Sequence, residues 1–175
     1  MKFRITACIL TWALWLAGAA QAADVPMSTD LQAESARAAA LNTPLIVIFT
    51  SPTCHYCEIV KRDYLLPMMK NPETAGAVVI RQIVTGSPAR LKDFHGRVTT
   101  EAAFAGAQGV TLTPTVAFFD DRGKEVAKPI VGLLNPDYYY GYLEDAIAQA
   151  KKHIAARPAS VGPVASRQAA VLPMP

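Results

Sequence analysis

Apolar and polar positions fall into two regimes along this chain. Unbroken apolar or β-branched runs occupy residues 45–50 (Leu-Ile-Val-Ile-Phe-Thr) and 115–119 (Thr-Val-Ala-Phe-Phe), and a third run rich in β-branched residues, with Arg81 and Gln82 near its end, occupies 77–84 (Ala-Val-Val-Ile-Arg-Gln-Ile-Val). Runs this short and this rich in β-branched residues predict strands buried on both faces. Asp120-Asp121-Arg122-Gly123 reads as a hairpin turn with Gly123 at the positive-φ position, and leads to a fourth strand over 124–131. Pro129 within that strand marks it as an edge or a bulge.

Helical spacing fills the intervals. Ser28 or Thr29 is placed to cap a helix running to about Asn42, with Asp30 and Glu34 near its start and a thin stripe of Leu31, Ala38 and Leu41. A helix opens at Cys54 and carries Ile59, Val60 and Tyr64 until Pro67 kinks or ends it, with Met68-Met69-Lys70 as a last turn. Residues 85–98, with Gly86, Pro88 and Gly96, read as a long surface loop. Thr99 or Thr100 caps a short helix through Phe104 that Gly109 closes. Asn135-Pro136 starts a last helix, in which Tyr139, Leu143, Ala146, Ile147, Ala150 and Ile154 repeat at helical period to about 156. The order α, β, α, β, α, β, β, α predicts an α/β fold, a central mixed sheet of about four strands flanked by helices on both faces.

The two ends belong to other classes. Residues 1–22 combine Lys2 and Arg4, an uncharged apolar run over 5–17 and the small-x-small site Ala20-Gln21-Ala22, the pattern of a secretory signal peptide. The apolar run is shorter than the roughly 18 to 20 residues needed to span a bilayer, which weighs against an uncleaved anchor. Cys8 leaves with the peptide, so the expected location is periplasmic, with no stable membrane insertion after cleavage. Residues 157–175, with four prolines and no apolar period, read as a disordered tail. The domain is then 23–156. Loss of Lys2 and Arg4 leaves fifteen basic residues against fourteen acidic ones, a net charge of +1 that gives no reason to expect nucleic acid as a partner.

Two cysteines remain in an exported chain, three positions apart in Cys54-His55-Tyr56-Cys57. Ser51-Pro52-Thr53 ends the preceding strand with turn chemistry, and Thr53 is expected to cap the helix that follows. A thiol at a helix N-terminus meets unpaired N–H groups and the positive end of the dipole, which lowers its pKa. Cys54 is therefore the expected nucleophile and Cys57 the resolving thiol, a redox-active disulfide with no other cofactor. A structural disulfide and a zinc site are the alternatives. Zinc wants about four ligands, and the chain offers Cys54, Cys57, His95 and His153 at best, so no metal is expected. His55, if protonated, adds positive charge beside the thiolate and makes the pair more oxidising; otherwise it is a spacer. Tyr56 reads as a packing or substrate-contact residue. Glu58, next to Cys57, carries a negative charge that would pull the other way, and Lys61 one turn further would offset it; both otherwise read as solvated surface charges, the preferred reading. One of Tyr138, Tyr139 and Tyr140 is expected to face the core.

An apolar strand feeding Cys54-x-x-Cys57, a Thr113-Pro114 pair just before a strand, and a hairpin followed by a last helix together resemble the thioredoxin-like superfamily over nearly all of residues 28–156. The chain looks most like its exported SoxW and Dsb kind, and the Cys-x-Tyr-Cys ending with a threonine before the proline is similar to the disulfide isomerase members. The resemblance implies a thioredoxin-like fold, a cis Pro114 facing the cysteines, and Thr113 and Pro114 binding an extended substrate backbone. It implies protein thiol or disulfide substrates and a membrane redox partner. The sequence departs from the cytoplasmic thioredoxins in three respects. Thr53 replaces tryptophan, His55-Tyr56 replaces Gly-Pro, and Ile48 stands where they keep a buried aspartate. No N-terminal dimerisation domain like that of the exported isomerases is read. The expectation is a thiol–disulfide oxidoreductase with a slight lean to a reductase or thiol-maintenance role in cytochrome maturation or sulfur metabolism. The other class is a non-enzymatic thioredoxin-fold binding module with a structural disulfide.

Overall fold

The computed structural model describes residues 24–74 and 78–157. The signal peptide expected over 1–22 and the expected tail beyond Arg157 lie outside the described residues. In chain order the elements are α1 (Leu31–Ala40), β1 (Leu45–Thr50), α2 (His55–Val60), a π-helical turn (Lys61–Leu65), α3 (Leu66–Lys70), β2 (Val79–Val84), β3 (Arg90–Lys92), β4 (Val98–Thr100), α4 (Glu101–Ala107), β5 (Thr115–Phe119), β6 (Glu125–Val131), a 3-10 turn (Pro136–Tyr138) and α5 (Tyr139–Ala155).

The main sheet has the order β2-β1-β5-β6. β1 runs parallel to β2 and antiparallel to β5, and β6 closes the hairpin with β5. All six residues of β1 are buried, which follows from alternate side chains pointing into two different cores. Ile46 and Ile48 face α2, α3 and α5 through Val60, Leu65, Met68, Leu143 and Ile147. Leu45, Val47 and Phe49 face α1 and α4 through Leu31, Ala38, Phe104 and Ala105. The mixed four-stranded sheet with helices on both faces is the architecture that the element order predicts. β6 is an edge strand, and its register with β5 shifts near Phe118, as Pro129 foretold.

Several local expectations are corrected. α1 is capped by Asp30, not Ser28 or Thr29: Oδ1 of Asp30 accepts the Ala33 N–H at 3.0 Å, while the Ser28 hydroxyl donates to Glu34. Leu41 is exposed, and the buried stripe is Leu31, Ser35 and Ala38. Pro67 does not end its helix. The Leu66 N–H reaches back five residues to Lys61 O, and this wider turn accommodates Pro67 in the first turn of α3. The 85–98 loop contains structure of its own, since β3 and β4 pair as a small antiparallel ribbon. Its three-residue strands are too short to read against their charges, yet Leu91 between Arg90 and Lys92 is buried in the α1/α4 core. Asn135 makes no side-chain cap; the chain takes a 3-10 turn, and the Tyr64 hydroxyl donates to Pro136 O. Among the three tyrosines, Tyr139 is the buried one. Arg157, placed in the tail by composition, pairs its guanidinium with Asp120 and Asp121 at the β5–β6 turn.

Two positions set clear stability expectations. Gly123 turns the β5–β6 hairpin at φ +78°, and a Cβ there would lie 2.4 Å from the ring of Phe94. That ring is held between Phe104 and Phe119, with centroids 5.9 and 5.1 Å away. Gly123→Ala is therefore expected to lower the unfolding free energy by about 2 to 4 kcal/mol in urea titration, from left-handed backbone strain plus overpacking. For Asp30, the Ala33 N–H and then Lys92 hold the carboxyl below its ordinary range. A depressed folded pKa means stability that is present at neutral pH and lost as pH falls through about 4 and below. Asp30→Ala should cost about 1 kcal/mol at pH 7, and that difference should shrink steadily once titrations are run below about pH 4.

Candidate active site

β1 ends at Thr50, and the chain turns through Ser51-Pro52-Thr53, with the Cys54 N–H donating to Ser51 O at 3.2 Å. Cys54 itself, in extended backbone conformation, is the N-cap of α2. Its Sγ accepts the Cys57 N–H at 3.1 Å. Thr53 is exposed and makes no cap, so the expected capping residue is displaced by one position. The physical consequence strengthens the chemistry read from the sequence. The sulfur occupies the place where a helix start supplies an N–H and a positive dipole end, the environment that favours a thiolate over a thiol.

Cys54 and Cys57 form a disulfide with a Cα–Cα distance of 5.2 Å. The two sulfurs are not equivalent. Cys54 is partly exposed at the mouth of the turn, whereas Cys57 is fully buried beneath the helix. An incoming thiolate can therefore reach Cys54 and not Cys57. His55 and Tyr56, between them, are both exposed, their rings 5.9 Å apart. Tyr56 is 59 % exposed, an apolar surface standing beside the disulfide.

The Thr113–Pro114 peptide is cis, the state that the resemblance implies. Pro114 is buried and Thr113 half-buried. The Ser51 and Thr113 hydroxyls meet at 3.1 Å, which ties the turn before Cys54 to the loop before β5. On the other side the Gly132 N–H donates to Pro114 O at 2.7 Å, and the Thr115 hydroxyl donates to Leu112 O. Leu112, next to Thr113 in this loop, is exposed. Among the described residues, the backbone N–H and C=O of Thr113 take no partner.

Sequence reasoning missed two residues here. Ser51 was legible only as turn chemistry, although a hydroxyl one step past a central strand is well placed to bridge loops. Lys61 is the larger correction. Far from being a solvated surface charge, its side chain is only 4 % exposed, and its Nζ lies 3.1 Å from Asp24 Oδ2 and 3.0 Å from Glu58 Oε1. The lead-in segment folds Asp24 against the helix and covers the lysine, a contact no local pattern announces. Glu58 itself stays exposed, as expected. Among the described residues no three His, Cys, Asp or Glu side chains come together to hold a metal ion, and no helix is long and apolar enough to cross a membrane.

A strand ending in a helix-capping cysteine, a buried partner one turn on and a cis-proline loop beside them define a thiol–disulfide exchange site. The chain belongs to the thioredoxin-like domain family, whose model matches residues 31–147. Its disulfide places it among the thiol–disulfide oxidoreductases of that kind. A search of the curated proteins finds no match. Among solved structures it is similar to the periplasmic thioredoxin SoxS from Paracoccus pantotrophus in its reduced form, at 20 % identity over 61 % of this chain and 98 % of that one, with a TM-score of 0.44. Oxidised thioredoxin O2 from Arabidopsis thaliana is 17 % identical over 70 % and 93 %, with a TM-score of 0.46. Oxidised mitochondrial thioredoxin 3 from Saccharomyces cerevisiae is 18 % identical over 71 % and 93 %, with a TM-score of 0.45.

The Ser51–Thr113 contact is open to a double-mutant cycle. Ser51→Ala and Thr113→Val should each lower stability by about 1 kcal/mol, and the double variant should cost clearly less than the two together. Strict additivity in chemical denaturation would mean that the hydroxyls do not couple the two loops.

Proposed function

We propose that this chain is a periplasmic thiol–disulfide oxidoreductase that exchanges disulfides with protein substrates through Cys54 and Cys57. The observation that supports this best is the asymmetry of the pair: a reachable sulfur at a helix N-terminus and a buried one behind it. In the reducing direction the Cys54 thiolate attacks a substrate disulfide and forms a mixed disulfide, releasing one substrate sulfur as thiolate. Cys57 then attacks Cys54, the Cys54–Cys57 bond forms, and the second substrate sulfur leaves. Thr113 offers its free backbone groups to an extended segment of the substrate, in the manner of strand addition, with Pro114 shaping the contact. His55 and Tyr56 stand exposed where a bound protein would meet them.

The net reaction as a reductase consumes two electrons per turnover, so we place a membrane redox partner upstream to restore the dithiol. The Cys-x-Tyr-Cys ending favours this thiol-maintenance role, in cytochrome maturation or sulfur metabolism, over disulfide donation. Export rests on the leader pattern of residues 1–22. The partial exposure of Cys54 weighs against the binding-module alternative, which needs an inert disulfide.

Residues 23–175 should catalyse insulin reduction by dithiothreitol, Cys54→Ser should abolish it, and Cys57→Ser should accumulate a mixed disulfide on Cys54. No turnover, with target binding unchanged in Cys54→Ser, would leave the binding module as the better account. Equilibration in glutathione buffers fixes the direction. A potential near about −270 mV supports a reductase, one near about −120 mV makes the protein a disulfide donor, and one below about −300 mV marks a structural disulfide.

A further inference from the structure

Lys61 is the only basic residue buried among the described ones, and it lies on the active-site helix. Its backbone N–H donates to Cys57 O, so the two residues share a helix face one turn apart. Helical side chains lean towards the N-terminus, which brings the lysine stem back over the turn that carries Cys57. The ion pair with Glu58, the residue after Cys57, agrees with this direction, and Asp24 meets the same ammonium.

The balance of charge around the buried sulfur follows from exposure. The carboxylates of Asp24 and Glu58 are 60 % and 67 % exposed, so water screens them. The ammonium is not exposed, and its field reaches the interior with less loss. Burial pulls the Lys61 pKa down, but the hydrogen bonds and charges of Glu58 and Asp24 outweigh it and hold it above its ordinary value. Lys61 is therefore a fixed cation at any biological pH. Burial also raises the pKa of a thiol, and β1 offers no carboxylate base beneath the disulfide, because Ile48 on that face is apolar and fully buried.

We propose that Lys61 is a positioning residue for thiol exchange: its buried ammonium stabilises the Cys57 thiolate and thereby sets how fast a Cys54 mixed disulfide is resolved. This rests on Cys57 being the resolving thiol. In that step Cys57 loses its proton to water and its thiolate attacks Cys54 Sγ. The Cys54–Cys57 bond forms as the bond from Cys54 to the substrate sulfur breaks, and the substrate thiolate takes a proton from water. Lys61 exchanges no proton.

The test is a titration of Cys57 by thiolate ultraviolet absorbance in the Cys54→Ser background, with Lys61→Met, Lys61→Gln and Lys61→Arg added separately. Because Asp24 and Glu58 sit mostly in water, removing the lysine leaves no buried charge unpaired. Met and Gln should each raise the Cys57 midpoint by about one pH unit, and Arg should hold it within a few tenths. In the protein with both cysteines, glutathione release from a Cys54 mixed disulfide gives a second readout. One unit costs tenfold in thiolate but returns about threefold in nucleophilicity, so release at pH 7 should slow by about threefold. At high pH, where both proteins are fully ionised, the Met variant should instead be the faster, a crossover that a merely structural role would not produce. An unchanged or lowered Cys57 midpoint in whichever of Met and Gln retains the parent's thermal unfolding overturns the proposal. Failure of insulin reduction by the unaltered protein would count against the oxidoreductase reading alone, since the titration does not depend on turnover.

Discussion

Everything at the exchange site depends on the pairing of β1 with a parallel neighbour on one side and an antiparallel one on the other. A parallel neighbour cannot be reached by a hairpin, so the chain must leave β1 through a helical crossover, and that crossover is α2 and its continuation. The cysteines consequently emerge at the C-terminal end of β1, at the start of a helix. The antiparallel register places Phe49 opposite Thr115, which sets Pro114 across from Thr50 at the end of β1 and Thr113 across from Ser51, just past it. Ser51 and Thr113 then face each other, and their hydroxyls meet. The juxtaposition of disulfide and cis-proline loop is thus a consequence of sheet register, and the hydroxyl contact locks what the register has already aligned. A shift of one residue between β1 and β5 would send each side chain of the slipped strand into the opposite core, so the packing of the two cores defends the geometry of the site.

The same logic explains how the edges of the sheet are treated. On the β2 side the lead-in adds itself as a short parallel stretch: the Ser28 N–H donates to Gln82 O and the Gln82 N–H to Pro26 O. On the β6 side, Pro129 and the register shifts beside it spoil the edge as a template for another strand. One edge is paired and the other is blunted. Among the described residues the backbone of Thr113 stays unpaired, at the end of the sheet beside the turn that carries Cys54.

Most of this was legible because it is periodic. β1, β5 and the hairpin turn at Gly123 came from runs and turn chemistry whose physics is local, and the Cys54-x-x-Cys57 site followed from where the first run stops. The features that escaped are those in which a distant segment decides. Lys61 reads as surface because its own helix gives it charged and polar neighbours at 58 and 62; Asp24, thirty-seven positions upstream, buries it. Leu91 reads as part of a charged loop because only the fold reveals the α1/α4 core beneath it. Pro67 reads as a breaker because a sequence does not announce a π-helical turn before it. The cap at Cys54 was misplaced for a different reason. Sulfur is a weak acceptor, and threonine beside it is the stronger prior, yet the turn through Ser51 brings Sγ and not the Thr53 hydroxyl to the Cys57 N–H.

The lead-in therefore serves the site as well as the sheet. By pairing with β2 it brings Asp24 to the active-site helix, where Asp24 and Glu58 together hold the Lys61 ammonium. A lone lysine at that depth would deprotonate or swing outward to water, because an unpaired buried cation is costly. Two carboxylates at the rim remove that cost without themselves entering the interior. The two cysteines are then served by different sources of positive potential, a backbone dipole for Cys54 and a side chain for Cys57. The first is inherent in any helix start, but the second exists only because residues 24–30 are folded onto the domain, which makes the lead-in part of the redox centre.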